Sequence, residues 1–128
     1  MRTLFALFLM CGTANAACND QLLEFVSWSI KPLDADTNEM TAIFKSHAEK
    51  PIKMIDASAG YKDALGGRIG SFALERDVAI APGGSHTETG RWGQNTFERL
   101  LKLKPEEVTT SVCVRAVLYD DGTKETFQ

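Results

Sequence analysis

A strict period of two runs through the stretch that ends the chain, TTSVCVRAVLYDDGTKETFQ. That period restricts the backbone to extended structure, because a helix would scatter the same side chains around its axis. Val112, Val114, Ala116 and Leu118 fall on one face, and Cys113, Arg115, Val117 and Tyr119 on the other. Two faces this apolar predict a strand in the middle of a sheet, covered on both sides. Asp120, Asp121, Gly122 and Thr123 then form a hairpin connection, with Gly122 where a positive φ is needed, and a short return strand runs through Phe127.

The same alternation recurs upstream. In LLEFVSWSIKPL, Leu22, Val26, Trp28 and Ile30 share one face and Phe25, Ser27 and Ser29 the other. A polar turn, DADTNE, leads into EMTAIFKSHA, which points Met40, Ala42 and Phe44 inward. Pro51 breaks the chain, and PIKMIDASAGY reads as a third strand carrying Ile52, Met54 and Ile55, followed by the loop KDALGG. RIGSFALERDVAIAPGG fits one bent strand or two short ones, and SHTETGRWGQN fits an edge strand or a loop. TFERLLKL matches strand and helix templates equally, while Pro105, Glu106 and Glu107 suit the first turn of a short helix. Strands this short, separated by turn signals and not by helices, predict an all-β fold: a single antiparallel β-sandwich of about seven strands with room for one short helical turn. A chain of 128 residues supports one such domain.

The N-terminus speaks to compartment. MRTLFALFLMCGTANA has one basic residue, an apolar run from Leu4 to Cys11, and small residues closing on Ala14-Asn15-Ala16. That is the pattern of a cleaved signal peptide over residues 1–16, with the domain occupying 17–128. The apolar run is far shorter than the roughly 20 residues that span a bilayer, so no transmembrane segment is expected in the mature chain. Cleavage removes Arg2 and no acid, leaving a charge one unit more negative than the −3 of the full chain. No basic stripe is available to neutralise phosphates, so nucleic acid is not an expected partner.

Cleavage also removes Cys11 and leaves Cys18 and Cys113. An even pair in an exported chain predicts a disulfide, which in a chain-entropy account of a loop of about 95 residues contributes near 4 to 5 kcal/mol. Cys18 lies close enough to the cleavage point to be the lipid-bearing cysteine of a lipoprotein, but Asn15 stands where such signals carry a bulky aliphatic residue.

LLKLKPEEVTTSVCV resembles the part of immunoglobulin-type domains where a strand, an acidic turn and a cysteine-bearing strand follow one another. AVLYDDGT is similar to the tyrosine, aspartate and turn-glycine pattern of small bacterial extracytoplasmic domains of the FxLYD type. The resemblance covers about thirty residues and implies an immunoglobulin-like topology, a bacterial source and no catalytic residue. Cys18 precedes the first strand and Trp28 comes early, and both depart from the antibody pattern.

Candidate chemistry is sparse. Asp34, Asp36 and Asn38 have the first, third and fifth spacing of a calcium loop, but the sixth and twelfth places hold Glu39 and Lys45 in place of glycine and glutamate. A solvated hairpin loop explains the same residues. His47 and His86 each lack a neighbouring ligand at zinc spacing. Ser85 beside His86 suggests a hydrolase pair, yet adjacent residues on an extended chain point to opposite faces and no nucleophile elbow surrounds them. LGGRIG lacks the spacing of a nucleotide loop, so no cofactor is expected. Arg91 and Trp92 have the side-chain types that anchor interfaces; Trp92 either forms a binding hot spot or caps one end of the core. The expectation is an exported, periplasmic or secreted, non-catalytic module that binds a protein of the cell envelope or serves it structurally. The alternatives are a calcium-dependent module using the 34–39 loop and a small secreted hydrolase.

Overall fold

The computed structural model describes residues 18–127. The signal peptide expected over 1–16 lies outside the described residues. Eight strands follow in order: β1 (Leu23–Pro32), β2 (Thr37–Ser46), β3 (Ile52–Asp63), β4 (Arg68–Ala73), β5 (Asp77–Ile80), β6 (Ser85–Gly93), β7 (Val108–Tyr119) and β8 (Lys124–Thr126). Two 3-10 turns, Glu98–Leu101 and Pro105–Glu107, lie between β6 and β7. Pro105 opens the second of them with both glutamates in the same turn, as the sequence suggested.

All pairings are antiparallel. One sheet has the order β1-β2-β6, the other β4-β3-β7-β8, with β5 continuing the β4 edge along β3. β4 and β5 are the two short strands of the ambiguous middle segment, and β6 is an edge strand. If β4 and β5 are taken as one interrupted edge, strands one, two and five face strands four, three, six and seven. This is an immunoglobulin-like sandwich in which the fourth strand joins the sheet of the third.

The core lies between the sheets and is aromatic at one end. Phe25 and Trp28 from the first sheet meet Tyr61 of the second at 5.5 and 5.6 Å, and Phe97 meets Trp92 edge-on at 5.1 Å. Such pairs contribute about 0.5–1.5 kcal/mol beyond the area they bury. Phe97 and Leu100 reach this core together because residues three apart eclipse in a 3-10 turn, which leaves Leu101 exposed.

Three bulges revise the faces expected from uninterrupted alternation. In β1 the register shifts between Phe25 and Ser27, so Phe25 packs against the core beside Leu23, and Val26 turns out, 53% exposed. In β3 a shift between Ile52 and Met54 buries Ile55 and leaves Met54 half-buried. In β7 the shift near Arg115 puts Val112 and Val114 inward first and Val117 and Tyr119 inward afterwards. The two apolar faces of β7 are therefore one core face whose phase changes, because an extra residue on one strand flips every side chain beyond it.

Cys18 and Cys113 form a disulfide with Cα atoms 5.1 Å apart, closing a separation of 95 residues. Beside it, Asn19 and Val114 exchange two backbone hydrogen bonds of 2.8 Å. The N-terminal arm is thus tied to β7 before it crosses to the other sheet as β1. No described helix is long and apolar enough to cross a membrane.

Candidate functional site

Where β1 passes β7, two strand edges face each other without pairing. Val114 directs its backbone N–H and C=O away from β3, toward Asn19. Hydrogen-bonding direction alternates along a strand, so Val112 and Thr110 also turn theirs away from β3. β8 covers only Ala116–Leu118, and no described strand pairs with Thr110 or Val112 on that side. Opposite them, the N–H of His47 donates to the carbonyl of Leu22, so Leu23 and Phe25 present their own backbone groups away from β2.

The space between these edges is a groove of about 470 Å³, walled by Leu23 and Phe25 on one side and by Thr110 and Val112 on the other. Past Phe25 and Thr110 it continues into a second hollow of about 380 Å³, bordered by Val26, Trp28 and Pro105. Asp20, Glu24 and His47 line its near end, with His47 Nε2 3.3 Å from Glu24 Oε2. The walls are apolar and backbone-polar; the rim carries two carboxylates.

The other edges carry features that block pairing. β4 has a register shift opposite Tyr61 and Lys62, and β5 and β8 are short; β1, open at Leu23 and Phe25, is interrupted beyond them by its bulge and ends at Pro32. β6 places Arg91 outward and His86 and Glu88 inward. Bulges, prolines, inward charges and shortness are the usual protections of exposed edges. By contrast, the first half of β7 reads Val108, Thr109, Thr110, Ser111, Val112, with β-branched side chains and neither charge nor proline.

Asp34 Oδ1 accepts the backbone N–H groups of Asp36 and Thr37 at 2.8 and 2.9 Å, closing the β1–β2 turn. The adjacent Thr37 side chain and then the Asp36 N–H hold the Asp34 carboxyl below its ordinary value. Asn38 lies in β2 with its side chain in the core, 3% exposed, so it does not join Asp34 and Asp36 around a common point. The calcium spacing in the sequence becomes a turn plus a core position. Trp92 packs inward on Phe97 and Phe72, whereas Arg91 is exposed on the opposite face of β6; the two form no shared surface. Ser85 and His86 also fall on opposite faces, and His86 Nε2 is 2.9 Å from Glu88 Oε1, not directed to the serine.

The groove itself was not apparent from the sequence. Its one local signal is the uncharged run VTTSV, and alternation alone cannot say which half of a strand is paired on both sides. Comparison of the chain with protein-family models, with curated proteins and with solved structures finds no match.

Proposed function

We propose that this protein is an exported, non-catalytic binding module, periplasmic or secreted, whose β1–β7 groove takes up an extended segment of a partner protein of the cell envelope as an added strand. The observation that carries this reading is the pair of outward-directed, unpaired backbone positions Thr110 and Val112, beside the free positions Leu23 and Phe25 across the groove. Strand addition draws affinity from main-chain hydrogen bonds and specificity from pockets that receive alternate side chains. Asp20 and Glu24 at the rim favour a segment with a basic side chain near that end. Export is supported by the signal-like N-terminus and by the disulfide, which persists in oxidising compartments.

Thr110→Pro tests the reading. It removes an N–H that faces the groove and leaves the hydrogen bonds to β3 in place, since those are made by the residues on either side. A segment recovered by crosslinking in the envelope, then synthesised, is expected to slow hydrogen exchange at the Thr110 and Val112 amides of the parent protein. Its affinity for Thr110→Pro should fall at least about ten-fold with circular dichroism unchanged. Unaltered affinity, or amides that stay unprotected in the complex, would refute strand addition at this edge.

A further inference from the structure

At the opposite seam, β6 of the three-stranded sheet meets the corner between β4 and β5 of the other. His86 and Glu88 occupy alternate positions on β6 and so share its inward face, with side chains only 16% and 17% exposed. Glu75 reaches them from the β4–β5 corner, and one ligand atom of each of the three residues lies within 4.8 Å of the others. We propose that Glu75, His86 and Glu88 bind one divalent transition ion of the zinc type, clipping the two sheets together.

The donor set suits such an ion. One imidazole and two carboxylates match zinc's preference for nitrogen and oxygen, whereas an imidazole in a three-residue set disfavours calcium and magnesium. Ligand atoms sharing an ion with bonds of ~2.0 Å stand about 3 Å apart, and His86 Nε2 and Glu88 Oε1 are 2.9 Å apart. Three protein ligands leave a position for water.

The surroundings orient the ligands. The backbone N–H of Glu75 donates to Glu88 Oε1 at 2.7 Å, which fixes that carboxylate and holds the corner from which the Glu75 side chain extends. Hydrogen bonds of this kind steady metal ligands from behind. Two carboxylates with a neutral imidazole carry two negative charges, which a dication neutralises. Arg76, the next residue along, forms an ion pair with Asp56 at 3.7 Å instead. The site is remote in the sequence from the Asp34–Asp36–Asn38 turn and shares no residue with the β1–β7 groove, so it stands or falls separately from the proposed function.

Zinc titration of the disulfide-intact protein tests the proposal, by calorimetry and by thermal melts. One ion per chain and a melting temperature raised by several degrees are expected, with no comparable rise in magnesium or calcium. Cobalt should give visible absorption bands that are lost in His86→Asn. Glu75→Gln, which keeps the anchoring backbone N–H and alters a more exposed side chain, should weaken zinc at least about ten-fold while the zinc-free melt stays unchanged. Glu106→Gln, in the second 3-10 turn, should bind as the parent does. Failure of zinc to saturate, or affinity equal to the parent's in Glu75→Gln or His86→Asn, overturns the site.

Discussion

Tyr61 touches four aromatic rings, those of Phe25, Trp28, Phe72 and Phe97, with centroids 5.5 to 6.2 Å away, and it is 1% exposed. Its hydroxyl donates to Met40 Sδ at 3.1 Å, a weak acceptor. Burial pushes this phenol above its ordinary value of 10. A pKa raised by folding gives stability that is complete below the unfolded value and is lost as pH rises toward the folded one, so the protein should weaken from about pH 10 upward. Tyr61→Phe should cost no more than about 1 kcal/mol at neutral pH and should flatten that alkaline loss. Urea midpoints measured at neutral pH and near pH 11 check both parts; an unchanged alkaline slope would assign the loss to other groups. The sequence marked Met40, Ala42 and Phe44 as inward, and they are buried. It did not mark Tyr61 as the centre of the core, because nothing local distinguishes one apolar position on a strand from another.

At the scale of elements, close approach decides where the segment after β6 goes. Gly70 in β4 lets the Phe97 ring lie on the strand: a Cβ there would stand 2.6 Å from Phe97 Cε1. Gly70→Ala should therefore push Phe97 off β4 and destabilise by about 1–3 kcal/mol, as overpacking does in filled cores. A Phe97→Leu background should absorb part of that cost, which a double-mutant cycle in urea would measure; full additivity would show that the two do not press on each other. The sequence left residues 96–103 divided between strand and helix. Packing resolved them into a 3-10 turn, which sets Phe97 and Leu100 on one side at the cost of exposing Leu101. Strand existence was legible nearly throughout, since period two is written in neighbouring residues. Strand phase was not: the bulges in β1, β3 and β7 answer to the partner strand.

Across the whole molecule, the Cys18–Cys113 bond ties the N-terminal arm to β7 over 95 residues. Replacing both cysteines by alanine, which avoids a stray thiol, should lower stability by about 2–5 kcal/mol. The variant's melting curve provides the check, and a loss below about 1 kcal/mol would mean that the Asn19–Val114 bridge and β1 pairing hold the arm unaided. An all-β sandwich and the Cys18–Cys113 pair were legible in the sequence, because alternation, turn glycines and the cysteine count are local or countable properties. Which edges stay open and which side chains meet is set by how the two sheets stack and pair. The VTTSV edge is unpaired because β8 pairs with the other half of β7, and Glu75 comes to His86 and Glu88 because two sheets stack at that seam. Both are contacts between residues distant in the chain, and no period read along one strand contains them.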